Sequence, residues 1–166
     1  MTNHALMARF NAWANDKLYD SVARLSDADY RADRKLFFGS AHNTLNHLLV
    51  VDRMWTRRIE GKPHGIRALD EILHDEFGKL RAARAEEDAY LIALVDRLDA
   101  AALATPVRFS WVDGDGEGAV TPEHILINLF NHQTHHRGQI HALLTQSDIN
   151  SPPLDVLVYL EDDRAT

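Results

Sequence analysis

Apolar residues recur at three- and four-residue steps over four long stretches of this chain, which is the spacing of one face of an α-helix. The pattern predicts helices over about residues 3–25, 40–60, 69–106 and 121–146. Ser40 and Thr121 lie at the starts of the second and fourth helices, where a hydroxyl suits the N-cap, and proline follows Thr121. Four long amphipathic helices indicate an all-α fold, a four-helix bundle.

The connections between these helices are short or irregular in pattern. Residues 29–38 are mostly polar and are interpreted as a long connection. Residues 107–112 predict a short strand, and the glycine- and aspartate-rich residues 113–118 predict a turn, so a short hairpin or loop is expected between helices 3 and 4. A short terminal helix is predicted over residues 154–160. No repeat or linker divides the chain, and residues 1–166 are expected to form a single domain.

Composition narrows the class of protein. The chain has 166 residues, of which 45% are hydrophobic and 26% charged, as expected of one globular domain. The net charge of -7 and the lack of a basic stripe argue against nucleic-acid binding. There is no apolar run long enough for a membrane span and no secretory signal pattern, so a cytoplasmic protein is expected. The chain contains ten histidines and no cysteine, which excludes disulfides and thiolate ligands.

Two of the ten histidines fall on the inner face of the fourth helix. At about 100° per residue, this apolar face is formed by Ile125, Leu129, Ile140 and Leu143. His132, His136 and Gln139 lie in the middle of the same face. Histidines four residues apart can direct both imidazoles to one point above a helix. Buried there without partners, each would cost about 1–3 kcal/mol.

A third histidine occupies the same kind of position on the second helix. His47 lies at the centre of the face that Asn43, Val50, Val51 and Met54 share. Three inward imidazoles suit a divalent metal ion and leave a coordination position open, as in a catalytic site. The alternative is that each histidine only forms hydrogen bonds in the core. The other seven histidines do not share these faces and are interpreted as solvated or supporting residues.

Other metal motifs fit poorly. The segment from His132 to His136 carries glutamine where a zinc protease has the glutamate of His-Glu-x-x-His. Glu71 and His74 have the spacing of one half of a di-iron site but face away from the apolar stripe of the third helix. The acidic residues after Val112 lack the full ligand series of a calcium loop and are interpreted as a turn.

At these residues the chain resembles the DinB/YfiT-like superfamily, which is unrelated to the polymerase of that name. The resemblance lies chiefly in residues 131–139, with the sequence Asn-His-Gln-Thr-His-His-Arg-Gly-Gln, and in residues 44–55 around His47. Residues 10–15 and 152–155 resemble the family's usual opening and ending. The resemblance spans nearly the whole chain.

The resemblance implies a bundle of up-down-down-up topology and a metal held by His47, His132 and His136. Zinc or nickel is expected, with iron or manganese as alternatives. It also implies a homodimer. The faces of the first and fourth helices that are expected to point outward and could form its interface carry Ala5, Met7, Ala14, Leu126 and Phe130.

Characterised members of the superfamily include metal-dependent transferases that act with low-molecular-weight thiols. We therefore expect the metal to deprotonate such a thiol, which would attack a small electrophilic substrate. Asn43 and Gln139 are expected either to orient the imidazoles or substrate or to bond to each other. A non-catalytic metal- or ligand-binding stress protein, a metal-dependent hydrolase and a purely structural bundle are the alternatives.

Overall fold

Four long helices dominate the fold in a computed structural model, which describes residues 2–165. In chain order the elements are α1 (Asn3–Val22), α2 (Asp27–Arg31), α3 (Ala41–Ile59), α4 (Phe77–Arg97), α5 (Ala100–Ala104), β1 (Val107–Ser110), β2 (Glu117–Val120), α6 (Pro122–Gln146) and α7 (Val156–Ala165). The all-α prediction is therefore confirmed, with the two strands forming one small antiparallel hairpin between α5 and α6. None of the helices described combines the length and apolarity needed to cross a bilayer.

The predicted caps define the starts of both histidine-bearing helices. The Ser40 hydroxyl accepts a hydrogen bond from the backbone N–H of Asn43, and Thr121 does the same for His124. Pro122 is the first residue of α6, where its missing N–H costs no helical hydrogen bond. Local sequence thus determines where α3 and α6 begin.

Contacts between α3 and α4 show that these consecutive long helices run parallel. Asp52 pairs with Arg84 at 2.8 Å, and one turn further along both helices the Thr56 hydroxyl donates to Glu87 at 2.8 Å. A parallel pair requires the connecting chain to return along the whole bundle. Residues 60–76 make this return.

The other helix pairs complete the up-down-down-up topology. Salt bridges link Arg9 to Asp96 and Arg81 to Asp20. Early residues of α1 thus meet late residues of α4, and the two helices are antiparallel. By contrast, Ala8 clusters with Leu129 and Leu18 clusters with Leu143, so α1 and α6 are parallel. The topology implied by the family resemblance is found in the structure.

The prediction for the third helix was wrong at its start, because the chain between α3 and α4 returns along the bundle without forming a helix. Helix was predicted from Leu69, but α4 begins at Phe77 and residues 60–76 are irregular. Leu69 and Leu73 still pack against the core from this irregular segment, which explains why their spacing resembles a helical stripe. The predicted end was also late, because α4 ends at Arg97 and a separate short helix precedes Pro106.

Smaller differences occur elsewhere. The first helix ends at Val22 rather than near residue 25, and the connection over residues 29–38 includes the end of α2, which Ser26 caps. The predicted strand over residues 107–112 ends at Ser110. The terminal helix begins at Val156, two residues later than predicted, and extends past residue 160.

The residues proposed to face outward for dimerisation are largely covered within the chain. Ala5, Ala14, Leu126 and Phe130 are buried, and Met7 is half-buried. The short helices provide this cover: α5 contacts α6 and α7 contacts α1. That placement was wrong because the sequence pattern of the long helices does not include these additional layers. The homodimer stays a prediction without this surface to support it.

Candidate metal centre

The three predicted ligands meet between α3 and α6. His47 comes from α3, and His132 and His136 come from successive turns of α6. One ring nitrogen from each lies within 4.8 Å of the others. His47 and His136 are buried, and His132 is half-buried. The structure thus brings together the residues that helical spacing placed on two separate inner faces.

Hydrogen bonds orient two of the three imidazoles. His47 Nδ1 lies 2.7 Å from the carbonyl oxygen of Leu69, which only accepts, so Nδ1 carries the proton and Nε2 retains a lone pair. His136 Nδ1 lies 2.9 Å from the side-chain oxygen of Gln139, with the same consequence for its Nε2. A histidine ligand of a metal ion usually donates its other N–H in this way.

Leu69 can serve this role because it lies outside a helix. In the predicted helix its carbonyl would have bonded to an N–H four residues later. In the irregular return segment it accepts from His47 instead. The error in the predicted helix therefore concealed one of the contacts that orient the site.

His132 is not accounted for by core hydrogen bonding alone. Without a bound ion, its Nε2 would carry the proton and donate to the Nε2 lone pair of His47 at 3.0 Å. Its Nδ1 is buried and has no hydrogen-bond partner among the described residues. A cation shared by the three imidazoles would replace this hydrogen bond and take one lone pair from each of the converging rings. The donor set fits a divalent ion that accepts neutral nitrogen ligands.

Burial keeps all three histidines neutral. Desolvation lowers the pKa of His47 to about 4, against the opposing effect of the Leu69 hydrogen bond. Desolvation, followed by the proximity of His136 and His47, lowers the pKa of His132 to about 3. Burial also lowers the pKa of His136, and its bond to Gln139 opposes this change. Lone pairs are consequently available at neutral pH without displacing protons.

An aromatic ring stacks on the site, and no sequence pattern predicted that contact. Phe38 stacks on His47 with ring centroids 3.8 Å apart and lies 5.6 Å from the ring of His136. Asn43, which was expected to orient an imidazole or bond to Gln139, instead donates to the Phe38 carbonyl at 3.0 Å. The apolar run at residues 36–38 within a polar connection was the available signal. It did not show which ring would reach the histidines.

A cavity of about 320 Å³ opens beside His47 and His132. One wall comes from α3, where Val51, Met54, Trp55 and Arg58 follow His47 along the helix. The opposite side includes Leu69, Asn128 and the hairpin residues Trp111 to Asp113. A small molecule in this cavity would lie directly against two of the three histidines.

Comparison with known proteins identifies the family of this chain. The model of the DinB family matches residues 1–165. This chain belongs to the DinB family. Protein DinB of Bacillus subtilis (strain 168) is similar to it, with 26% identity over 158 residues, covering 91% of this chain and 90% of that protein.

Two sequence segments that resembled the DinB family meet beneath the histidines. Arg137 follows His136 but lies about 100° further around α6, where it donates to Asn11 and Asn15 on α1. Burial lowers the pKa of Arg137 to about 10, so it remains charged at neutral pH. Asn11 and Asn15 therefore bind the guanidinium of Arg137, and this arginine has a structural role in the bundle rather than a role as a metal ligand.

The rival metal motifs are not assembled in this DinB-family chain. Among the described residues, no group of three ligating side chains other than the histidine triad converges. Glu71 bonds to Arg67, and the acidic residues after Val112 connect the two strands of the hairpin. His135 is exposed and contacts Gln139, which places it next to the triad without joining it.

Proposed function

We propose that this DinB-family chain is a metal-dependent transferase that binds one divalent cation through His47, His132 and His136. In this proposal the bound cation would favour the thiolate of a low-molecular-weight thiol, and the thiol proton would pass to solvent. The thiolate sulfur would form a bond to carbon of a small electrophile such as an alkyl halide as the carbon–halogen bond breaks and halide leaves. The observation that carries the proposal is the convergence of three neutral imidazoles at the wall of a cavity. Zinc or nickel suits such ligands best, with iron or manganese as alternatives.

When bound, a divalent cation at this position stabilises the anionic form of a thiol or water in its open coordination position. Three neutral ligands do not reduce the cation's charge, which favours an anionic nucleophile. The chain holds two of its ligands through the Leu69 carbonyl and Gln139. Phe38 stacks on the ring of His47 and adds to its desolvation.

The side chains around the site favour thiol transfer over hydrolysis. Gln133 occupies the position at which a zinc protease has its general base, and its amide donates to Asp52 inside the bundle. A thiolate attacks without a base to activate it further, whereas water activation usually benefits from one. Hydrolysis remains the second candidate because Asp113, a carboxylate, lines the cavity from the hairpin turn.

The cytoplasmic location and the homodimer remain proposals. Low-molecular-weight thiols are kept reduced in the cytoplasm, which would supply the co-substrate. Light scattering coupled to size-exclusion chromatography measures the mass in solution directly. A mass of one chain across the micromolar range would reject the homodimer without affecting the metal site.

Metal content tests the central proposal. Tag-free wild-type protein is expected to contain about one divalent ion per chain by elemental mass spectrometry. His132→Ala should lose it, whereas His135→Ala should retain it, because His135 is adjacent on α6 but outside the triad. Wild-type protein that neither contains nor takes up zinc or nickel would reject the site.

Activity is measured next with the metal that the protein selects. The loaded wild type is expected to conjugate one of a panel of small thiols to electrophilic aromatic and alkyl halides, and His132→Ala is expected to be inactive. Ester hydrolysis without thiol dependence would favour the hydrolase. A loaded protein whose metal accepts neither thiol nor small anion would favour a non-catalytic binding protein.

A further inference from the structure

One arginine beside the cavity differs from its neighbours. Arg58 is 7% exposed, yet no carboxylate among the described side chains lies within ion-pair distance of it. Arg53 and Arg57 on the same helix both reach Glu87, at 3.6 and 2.5 Å. A buried cation usually has an anionic partner, and Arg58 lacks one among the described side chains.

The surroundings of Arg58 hold its guanidinium in place. Its central carbon lies 4.7 Å from the ring centroid of Trp55 and 4.8 Å from that of Phe109. One of its nitrogens donates to the backbone carbonyl of Ser110 on β1. Burial lowers the pKa of Arg58, but an arginine remains charged at neutral pH. The result is an oriented cation whose donors are not used by any carboxylate among the described side chains.

Arg58 and the histidine triad lie at opposite ends of one helix face. From His47, Val51, Met54 and Trp55 lead along α3 to Arg58, and all five line the same cavity. Arg58 lies eleven positions after His47, which places their Cα atoms about 16 Å apart along the helix axis. The side chains between them are apolar.

We infer that Arg58 binds an anionic group of the reactant, with a carboxylate as the simplest case. The reactant's apolar body lies along α3, and its reacting end lies at the triad. This inference rests on the proposed function, because it specifies the substrate class of the same cavity. Asp113 also lines the cavity and lies near enough to His47 to affect its pKa, so its carboxylate disfavours an anion at the histidine end and favours one at Arg58.

Either reactant of a transferase, the thiol or the electrophile, can carry this anionic group. The two sources have the same chemistry at Arg58 and differ in kinetics. If the thiol carries the anion, Arg58→Gln raises the KM for the thiol alone. If the electrophile carries it, the KM for the electrophile rises alone.

Binding can be tested without catalysis. We would titrate 4-phenylbutyrate and its neutral amide into the protein and follow the fluorescence of Trp55 and Trp111, which line the cavity. A short series of phenyl- and alkyl-carboxylates with matched amides spans several chain lengths. The wild type is expected to prefer at least one carboxylate over its amide by about tenfold or more.

Variants distinguish Arg58 from nearby charges. Arg58→Gln should abolish the preference, and Arg58→Lys, which keeps charge but loses the planar fork, should retain part of it. Arg108→Gln is the matched control: it removes one charge from a neighbouring cleft that Arg58 also lines, outside the histidine cavity. His132→Ala tests whether the metal site, rather than Arg58, takes up the carboxylate. Thermal unfolding of each variant verifies folding.

Several results would overturn the inference. These are a wild type without any carboxylate preference, an unchanged preference in Arg58→Gln, or a loss in Arg108→Gln that places the anion in the outer cleft. Loss in His132→Ala alone would mean that the carboxylate binds the metal. If Arg58→Gln does not fold, an unchanged preference in Arg58→Lys overturns the inference. Arg58-dependent binding by a protein that takes up no metal would reject the proposed function and support only the assignment of the anion to Arg58.

Discussion

The side-chain amide of Gln133 donates to the carboxylate of Asp52 at 2.6 Å and joins α6 to α3 inside the bundle. Gln133 directly follows His132, and Asp52 lies little more than one turn after His47. Asp52 also pairs with Arg84 of α4 at 2.8 Å. The polar core beneath the triad therefore fixes the separation of the two helices that supply its ligands.

The first prediction concerns this bond. Gln133→Leu keeps the approximate volume but leaves the buried Asp52 with one partner fewer, so unfolding free energy should fall by about 1–3 kcal/mol. Urea unfolding in the presence of chelator measures this change. Zinc affinity should fall as well, because α3 and α6 lose a direct connection. Gln146→Leu at an exposed position of α6 is the control, and equal effects of the two substitutions would contradict the argument.

The second prediction concerns Gln139, which accepts from His136 Nδ1 at 2.9 Å. Gln139→Ala should weaken metal affinity by about 10- to 100-fold, because His136 loses the partner that fixes its orientation. Gln139→Glu retains an acceptor and should keep most of the affinity. Competition with a chromophoric chelator measures both. His135→Ala removes the other partner of Gln139 and should have little effect; a large loss there would assign the role to His135.

The sequence was sufficient to predict the triad because the relevant signal is local. The residues that surround His132 and His136 along α6 establish an inner face, and a regular helix carries that face unchanged into the bundle. The same holds for His47 on α3. A four-helix bundle has one core, so the inner faces of α3 and α6 both point into it and come into contact.

The contacts that orient the triad could not be predicted in the same way. Leu69 and Phe38 come from irregular segments, whose paths depend on where the long helices end in space. A spacing of four between Leu69 and Leu73 suits a helix, and only the parallel arrangement of α3 and α4 requires a crossing chain there instead. Arg58 likewise differs from Arg53 and Arg57 only through its tertiary contacts.

The third prediction concerns acidic pH in chelator-treated protein. The folded-state pKa values of His132 and His47 are lowered to about 3 and about 4, whereas an unfolded histidine has a pKa of about 6.5. Below pH 6.5 the unfolded chain binds protons that the folded chain excludes, so stability falls as pH falls. The slope is at most about 1.4 kcal/mol per pH unit for each histidine.

Comparison with His132→Phe isolates one of these histidines. Between pH 7 and pH 5 the variant should lose less unfolding free energy than the wild type, by about 1–2 kcal/mol after allowance for partial exposure. Burial raises the pKa of Asp52 to about 6, which increases stability as pH falls and so has the opposite sign. That effect is present in both proteins and cancels in the difference. Urea unfolding at the two pH values provides the measurement, and parallel losses would show that His132 titrates normally.

The last prediction uses two glycines with opposite surroundings. A Cβ added to Gly118 on β2 would lie 2.5 Å from the ring of Phe109, its partner across the hairpin. That ring packs against Trp55 and Arg58, so it cannot move without disturbing the end of the cavity. Gly118→Ala should therefore lower the thermal midpoint and also weaken the carboxylate preference assigned to Arg58, because overpacking costs about 1–3 kcal/mol.

Gly138→Ala is the matched control within the segment that resembled the family. An added Cβ there meets nothing within 4 Å, and alanine in a helix interior is favoured over glycine by about 0.5–1 kcal/mol. This variant should be more stable than the wild type and bind metal and carboxylate unchanged. Opposite shifts of the thermal midpoint in the two variants would support the hairpin as the wall that holds Arg58. Thermal midpoints that shift with the same sign and size in both variants would show that Phe109 does not affect the cavity. The hairpin would then not be supported as the wall that holds Arg58.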